Sequence, residues 1–288
     1  MSRKIARITQ EKKLLLADEI IEDNRYSLNE HGKLYTKNIL EGNKFSIDEE
    51  FIEVGEFIEG YPFVKPVIDD SLVLWLDGST GNNYEKTNIW KDLSGNGNDG
   101  ELRNFGYTEG SGWVDGGLKF DGVDDYVISP YNHLFNITEQ ITLEVWLKTG
   151  NEIPLSYMGV FLRRSVGAYE IFIYRRMVTF GLRLDGTQLR HNDGIILEPN
   201  TIYHIVCTYN GAEKKIYNNG VNTFTRAISG SVSTQLNALY VGWSGYSNEY
   251  FNGTIFSTRL YNRALTDEEI LQNYQAGQCS PLLAMRGD

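Results

Sequence analysis

The sequence is poor in the residues that build disulfide frameworks, metal sites and membrane spans. It has only 2 cysteines, Cys207 and Cys279, which excludes a disulfide scaffold or a cysteine-based zinc site, although not a single bridge. Its 4 histidines form no H-E-x-x-H or H-x-H pair. No run approaches the ~20 apolar residues of a membrane helix, so membrane insertion is not expected. With 27 Lys and Arg against 38 Asp and Glu, the net charge of -11 argues against nucleic-acid binding.

Glycines and aromatic residues are abundant, and this composition favours strands joined by tight turns. There are 29 glycines, and aromatic residues make up 12% of the chain. Segments 141–147 and 203–209 alternate apolar and polar residues, and Asn219-Gly220 is a hairpin signal. Further strands are predicted at Leu72–Leu76, Gly117–Phe120, Asp125–Ile128, Ala168–Tyr174, Val178–Leu184, Ala238–Gly242 and Gly253–Tyr261. These short strands indicate an all-β sandwich of two antiparallel sheets.

One helix is predicted near the end of the chain. Thr266 and Glu269 have the spacing of a capping box, and Leu265 and Ile270 that of a hydrophobic staple. Gly277 is expected to end this helix after Tyr274–Ala276. Cys207 lies on the apolar side of its strand and is predicted to be a buried thiol.

Residues 1–68 differ from the rest because charges are dense and tryptophan is absent. A helix is predicted from Thr9 to Asp23, followed by short extended segments and a proline-containing linker, which gives a mixed α/extended arm. Two interpretations remain open for residues 1–68: a small subdomain, or an arm that docks on a partner. The residues predicted to dock are Arg3, Lys4, Arg7, Phe51 and Phe57. The expected organisation is residues 1–68, a domain over 69–278, and a tail over 279–288.

Several separated strings carry a family resemblance. They include W-K-D-L-S-G-N-G-N-D-G over 90–100, F-D-G-V-D-D-Y-V over 120–127, and the segments 141–146, 250–255 and 261–266. In this order they resemble the laminin-G-like, concanavalin A-like jelly-roll modules over roughly residues 70–276. The resemblance implies a jelly roll, a fold that serves lectins, adhesins and glycosidases alike. Modules with the S-G-N-G-N string also resemble parts of bacteriophage structural proteins.

The resemblance also implies a structural calcium ion. Calcium prefers carboxylate and carbonyl oxygens, which Asp92, Asn96 and Asp121 could offer, with Asp124 and Asp125 as weaker candidates. The alternative is that the loop from 92 to 100 is a turn whose side chains bond to its own backbone.

Enzymatic activity is not expected. A retaining glycosidase needs two carboxyl groups about 5–5.5 Å apart. Glu144 lies on the polar face of its strand, but Trp146 and Lys148 occupy the alternate positions where a second acid would stand. No G-x-S-x-G motif is present either.

Sugar binding is predicted for the loop that follows the strand ending at Gly242. Sugars stack on aromatic rings and exchange hydrogen bonds with polar groups, and the loop offers Trp243, Tyr246, Asn248 and Tyr250. The alternative is a surface or subunit-contact loop, since aromatic residues are also common at interfaces.

These observations lead to one expected function and one alternative. The expectation is a non-enzymatic bacteriophage virion protein, in which residues 1–68 bind other virion proteins and the jelly roll decorates the particle surface and contacts host glycans. A homo-oligomer is expected, with a trimer as the first choice. Since Leu14–Leu16 is too short for the apolar core of a signal peptide, delivery in a virion is expected instead of export. The alternative is a non-viral carbohydrate-binding module or adhesin.

Overall fold

The computed structural model describes residues 68, 70–78, 87–114, 116–163, 168–190, 194–234, 236–246 and 248–278, together with the backbone of seven short strands before residue 56. Those seven strands are β1 (Ala6–Ile8), β2 (Leu14–Leu16), β3 (Glu19–Ile21), β4 (Leu34–Tyr35), β5 (Asn38–Leu40), β6 (Lys44–Ser46) and β7 (Glu53–Gly55). The chain divides into two compact units, one of Met1–Ile68 with Gln272–Asp288 and the other of Asp69–Leu271.

The helix predicted from Thr9 to Asp23 is wrong. Strands β1, β2 and β3 form an antiparallel sheet, in which Ile8 lies opposite Leu14 and Leu14 opposite Ile21. The apolar residues come in consecutive clusters, Leu14–Leu16 and Ile20-Ile21, instead of recurring once per helical turn. Such short clusters fit short strands better than one face of a helix.

The second unit is built from two eight-stranded sheets. Its strands are β8 (Leu72–Asp77), β9 (Ile89–Trp90), β10 (Gly100–Arg103), β11 (Gly112–Val114), β12 (Gly117–Asp121), β13 (Tyr126–Ser129), β14 (Ile141–Thr149), β15 (Met158–Arg163), β16 (Tyr169–Tyr174), β17 (Met177–Leu184), β18 (Thr187–Leu189), β19 (Ile202–Tyr209), β20 (Glu213–Asn218), β21 (Val221–Ala227), β22 (Leu239–Val241) and β23 (Asn252–Tyr261). A short 3-10 helix spans His133–Phe135.

The two sheets have different strand orders. One, called here the β16 sheet, has the order β18-β17-β16-β15-β22-β13-β10-β9. The other, the β14 sheet, has the order β11-β12-β23-β14-β19-β20-β21, and β8 pairs with β23 beside it. All pairings are antiparallel. This arrangement confirms the predicted all-β, two-sheet jelly-roll sandwich.

Alternation along the strands places the core between the sheets. In β14 the inward residues Leu143 and Val145 are buried, and in β16 so are Ile171 and Ile173. Cys207 is buried with a free thiol, as predicted, and burial raises its pKa. The residues between these positions face away from the core, and on β16 they form the surface described below.

The terminal helix α1 runs from Asp267 to Gln278. The predicted capping box is confirmed: the Thr266 backbone N–H donates to Glu269 Oε2 at 2.9 Å, and the Glu269 N–H donates to Thr266 Oγ1 at 3.3 Å. Leu265 and Ile270 are buried beside it, as expected of a staple. The predicted end is slightly wrong, because the helix continues through Gly277. The described residues include no helix with the length and apolarity needed to cross a bilayer.

Candidate functional site

Two glycines open a site on the outward face of the β16 sheet. Gly181 lies opposite Glu170, and a Cβ at residue 181 would stand 2.3 Å from Glu170 Oε1. Gly159 leaves room for the loop after β22, since a Cβ at residue 159 would stand 2.1 Å from the Ser244 backbone nitrogen. Both contacts are too short for any side chain larger than hydrogen. The sequence thus allows a carboxylate and a loop to lie directly on the sheet.

Glu170 forms an ion pair across the sheet. Arg190 donates from Nε to Glu170 Oε1 and from Nη2 to Oε2, the second bond at 2.9 Å. Gln188 donates from Nε2 to Glu170 Oε1 at 3.0 Å. The hydrogen bond to Glu170 raises the pKa of Arg190 despite partial burial. The guanidinium also lies 5.4 Å from the centroid of the Phe172 ring, so its orientation is held from two sides.

The loop after β22 is fixed by its own hydrogen bonds. The Ser244 N–H and the Gly159 N–H both donate to the Glu249 carbonyl, at 3.2 and 3.1 Å. The Ser244 hydroxyl donates to Glu249 Oε2, and Trp243 Nε1 donates to the Tyr246 carbonyl at 2.7 Å. A bridge between Trp243 and Tyr250 closes the loop. The loop is therefore a preformed element of the surface.

Aromatic rings lie on both sides of this surface. Trp243 stacks on Tyr250 with centroids 5.6 Å apart and planes 6° from parallel, and it also contacts Tyr126 at 4.9 Å. On the other side Tyr157 stacks on Tyr174 at 4.2 Å. Such flat faces are suited to the apolar faces of sugar rings.

A cleft of about 130 Å³ lies beside the loop after β22 and the Glu170–Arg190 pair. It is lined by Tyr157, Leu162, Glu170, Phe172, Arg190, Ser244, Tyr246 and Glu249. The volume is well below the ~300–1,000 Å³ of pockets that enclose a drug-sized ligand, so this cleft has room for one small ring. It combines aromatic faces with carboxylate and hydroxyl groups.

The four residues predicted to bind sugar take different places. Tyr246 lines the cleft and is 53% exposed. Trp243 and Tyr250 stack on each other at the base of the loop and do not line the cleft. Asn248 is an exposed turn residue with a φ of 62° and is also outside it.

Three further residues of the cleft were not predicted from the sequence. They are Glu170 and Phe172 on β16 and Arg190 directly after β18. The available signal was the alternation in 169–174, where Glu170, Phe172 and Tyr174 face away from the buried Tyr169, Ile171 and Ile173.

The predicted calcium ligand Asp92 is engaged by the backbone around it. Its Oδ1 accepts from the N–H groups of Trp75 at 2.9 Å and Ser94 at 3.0 Å. Its Oδ2 accepts from the Ser94 hydroxyl and from the Asn98 N–H, both at 2.8 Å. The side chain of Asn96 donates to backbone carbonyls of β8. The bonds from Ser94 and Asn98 are those that the turn interpretation expects, whereas the bonds of Trp75 and Asn96 connect the loop to β8.

Asp92 and Asp121 are not brought together. Asp121 lies opposite Asn252 on β23, whereas Asp92 bonds to Trp75, which lies opposite Arg259 on the same strand. Seven residues of a strand, at ~3.3 Å each, separate the two positions by roughly 20 Å. The predicted set of ligands therefore cannot share one ion.

Asp121 instead lies beside the two acids that ranked as weaker candidates. Carboxylate oxygens of Asp121, Asp124 and Asp125 lie within 4.8 Å of one another. Asp125 is fully buried, and its Oδ1 has no hydrogen-bond donor in the described part of the chain. Burial raises the pKa of Asp125 to about 6, although the Ser111 hydroxyl and the Asp121 N–H counteract this.

Glu144 belongs to a buried ion cluster on the β14 sheet. Arg259 on β23 donates to Glu144 Oε1, and His204 Nε2 on β19 lies 3.1 Å from the same oxygen. Side chains of Glu144 and His204 are no more than 1% exposed. A substrate therefore has no access to this carboxylate. The predicted docking residues Arg3, Lys4, Arg7, Phe51 and Phe57 lie outside the residues whose side chains the structure describes.

Comparisons with known proteins support the assignment of the fold. No curated protein matches this chain. Among solved structures, the binding domain of Paraclostridial Mosquitocidal Protein 1 is 16% identical with a TM-score of 0.59, over 72% of this chain and 52% of that one. The Trypanosoma rangeli sialidase in complex with sialic acid is 18% identical with a TM-score of 0.55, over 73% of this chain and 33% of that one.

The HCR/D W1238A mutant is 16% identical with a TM-score of 0.57, over 74% of this chain and 54% of that one. At these identities the likeness is one of fold, and the match covers only about a third to a half of each of these proteins. The Laminin_G_3 family model matches residues 121–271, which is more than half of the sequence. The chain therefore belongs to the Laminin_G_3 family of the concanavalin A-like lectin/glucanase superfamily.

Proposed function

We propose that this chain binds carbohydrate in the cleft on the β16 sheet and does not cleave it. The observation that carries the proposal is the cleft itself, which is lined by the exposed Tyr246 and Tyr157 together with Glu170 and Glu249. Aromatic rings and carboxylates are the groups that stack on sugar rings and accept hydrogen bonds from their hydroxyls. The family supplies a fold on which lectins are common, but the residues of the cleft carry the argument.

The arrangement of the two cleft acids supports binding without hydrolysis. A glycosidase needs one carboxyl group to donate a proton and a second to act as base or nucleophile. Both oxygens of Glu170 accept hydrogen bonds from Arg190, and the Glu170 side chain is only 6% exposed, so this carboxylate is engaged within the protein. Glu249 accepts from the Ser244 hydroxyl. Both acids are therefore engaged by neighbouring side chains, which favours binding over hydrolysis.

A glycan array tests this proposal. Wild-type protein should bind at least one glycan, and Tyr246→Ala should weaken that binding about tenfold or more because a stacking face is lost. Tyr131→Ala is the matched control, since Tyr131 is a partly exposed tyrosine outside the cleft. Equal losses for the two variants would contradict the site. Release of reducing sugar from a bound glycan would contradict the non-enzymatic role.

We also propose that a calcium ion binds at Asp121, Asp124 and Asp125 and is structural. Calcium takes 6–8 oxygen ligands, of which three carboxylates supply part. The buried Oδ1 of Asp125 is an acceptor that a cation would satisfy. Binding to the folded state alone would stabilise it by about 2.7 kcal/mol at a hundredfold excess over Kd.

Thermal unfolding with calcium and with chelator tests this second proposal. The melting temperature of the wild type should rise with calcium, and Asp125→Asn should abolish the rise. Glu152→Gln removes one exposed charge elsewhere and should leave the rise unchanged. A wild-type melt that is the same with calcium and with chelator would contradict the site.

We further propose that the chain is a bacteriophage virion protein, displayed on the particle surface as a trimer, with residues 1–68 bound to other virion proteins. Support comes from the resemblance of the 90–100 string to phage structural modules and from the assignment of Met1–Ile68, with Gln272–Asp288, to a compact unit of its own. The alternative is a non-viral carbohydrate-binding module or adhesin.

Mass spectrometry of purified particles distinguishes these two alternatives. The virion proposal expects the chain in particles, and expects a chain that lacks residues 1–68 to be missing from them. Particles that carry the shortened chain at full occupancy would contradict docking through residues 1–68. Light scattering of the purified protein tests the trimer.

A further inference from the structure

The charges that line the cleft are unequal. Glu170 and Glu249 are acidic, and Arg190 is the one basic residue among the described residues that line it. Arg190 is paired with Glu170 through two hydrogen bonds, so their charges cancel. Glu249 remains as a surplus negative charge, since its oxygen accepts only from the neutral Ser244 hydroxyl among the described contacts. The formal charges of the described residues that line the cleft therefore sum to -1.

Arg190 is poorly placed to bind a negatively charged ligand, because its guanidinium is already bonded to Glu170. The Arg190 side chain is 41% exposed. Its guanidinium Nε and Nη2, which could bind a ligand carboxylate, instead donate to Glu170, whose side chain is only 6% exposed. A ligand carboxylate at Arg190 would have to displace Glu170, leaving a largely buried glutamate unpaired, or lie close to it. Both arrangements are unfavourable. The net charge of -11 on the whole chain adds long-range repulsion of anions.

The polar groups of the cleft suit the opposite kind of ligand. Carboxylates accept hydrogen bonds from neighbouring hydroxyls, and a neutral sugar is a dense array of hydroxyl donors. Tyr246 and Tyr157, whose side chains are exposed, add ring faces that carry no charge. The small volume of the cleft admits one ring.

We infer that the cleft selects uncharged sugar rings and rejects rings that carry a carboxylate, an inference that rests on the proposed carbohydrate binding. The discrimination comes from Glu249 and from the closed Glu170–Arg190 pair. A like charge about 6 Å away at an intermediate dielectric costs roughly a tenfold factor in affinity.

Matched sugar pairs test the inference. The probes are immobilised galactose with galacturonic acid, glucose with glucuronic acid, and mannose with mannuronic acid, because each pair differs only in the group at carbon 6. A neutral ring with its N-acetylneuraminic acid-capped form extends the series. The wild type should bind the neutral member of at least one pair about tenfold or more tightly than its acidic partner, and the ratio should fall as salt is added.

Two charge-neutralising variants locate the cause. Glu249→Gln should reduce the ratio between neutral and acidic members to within about threefold. Glu198→Gln makes the same change of charge outside the cleft, on a largely exposed glutamate, and should leave the ratio as in the wild type.

The outcomes separate the two proposals. Binding of acidic members as tightly as neutral ones, or more tightly, would overturn the selectivity while leaving carbohydrate binding in place. An unchanged ratio in Glu249→Gln would also overturn it. The absence of binding to every member of the series and to the glycan array would overturn carbohydrate binding, and the selectivity with it.

Discussion

Asp92 holds the start of the jelly roll together through a single carboxylate. It receives four hydrogen bonds, three of them from the backbone N–H groups of Trp75, Ser94 and Asn98. Each partly buried donor left without a partner costs ~1–3 kcal/mol. Asp92→Ala should therefore lower the free energy of unfolding by about 2–4 kcal/mol, as measured by urea denaturation.

This loss should be the same in calcium and in chelator, because Asp92 lies far from the Asp121 cluster. Glu152→Ala, at an exposed acid, is the control and should change stability by less than ~0.5 kcal/mol. A loss confined to calcium-containing buffer would show that Asp92 acts through a metal ion.

The absence of a side chain at Gly181 leaves room for the Glu170 carboxylate on the sheet. Gly181→Ala places a methyl group where Glu170 now lies, so the Glu170–Arg190 pair must move. We expect sugar binding to fall at least tenfold and stability to fall by ~1–3 kcal/mol, the usual cost of overpacking. Binding assays and thermal melts measure the two effects.

Gly106→Ala is the matched control, since a Cβ there meets only a methyl carbon of Thr108 at 3.7 Å. It should leave sugar binding unchanged. If Gly181→Ala also binds normally, Glu170 is not part of the site.

At the scale of elements, the start of α1 couples stability to pH. Arg263 donates to both carboxylate oxygens of Glu269, at 2.6 and 2.7 Å, and lowers the pKa of Glu269 below its ordinary value. An acid whose pKa is lowered by folding adds stability above its unfolded pKa and loses that contribution as the pH falls through its folded pKa. Glu269→Gln should cost about 1 kcal/mol at pH 7.

The difference between Glu269→Gln and the wild type should close as the pH drops below ~4.3, the ordinary glutamate value. Unfolding measured from pH 3 to pH 7 gives this profile. Glu268→Gln, on the exposed side of the same turn, serves as comparison. A gap that stays constant with pH would mean that the charge of Glu269 contributes nothing.

The elements that the sequence predicts well are those whose signal is local. Alternation predicted strands at 141–147 and 203–209, and the structure has β14 and β19 there. The hairpin at Asn219-Gly220 follows from the positive φ angles that these two residues adopt. The helix predicted from Thr9 was wrong because its apolar residues come in consecutive clusters, which fit short strands better than one face of a helix.

The residues that line the cleft could not be predicted from the sequence, because they are distant along the chain and come together only through the pairing of strands. Glu170 and Arg190 are 20 residues apart and meet only because Gly181 leaves the space between them open. Likewise, Asp92 and Asp121 were predicted to share a calcium ion because both offer carboxylate oxygens. Only the register of β8 and β12 along β23 separates them.

At the scale of the whole molecule, the jelly roll should fold without residues 1–68. The unit Asp69–Leu271 contains the described buried core from both sheets. A chain of residues 69–288 should be soluble and unfold in one cooperative transition, measured by calorimetry. Residues 1–68 alone should show no such transition, because a segment of this size buries little surface. Precipitation of the longer fragment, or a melt without a transition, would contradict the boundary.

The Glu144–His204–Arg259 cluster has a consequence for the search that the chain makes during folding. Glu144 links β14 to β23 through Arg259, which lies opposite it, and to β19 through His204, which lies opposite Trp146 two residues along. Sliding β14 by one residue would turn Glu144 towards the apolar interior, where its charge has no counterpart. The cluster should therefore make shifted pairings of β14 with its neighbouring strands less stable than the native register. A variant in which all three residues are apolar should remain stable yet populate several alignments, visible as doubled backbone resonances in NMR spectra.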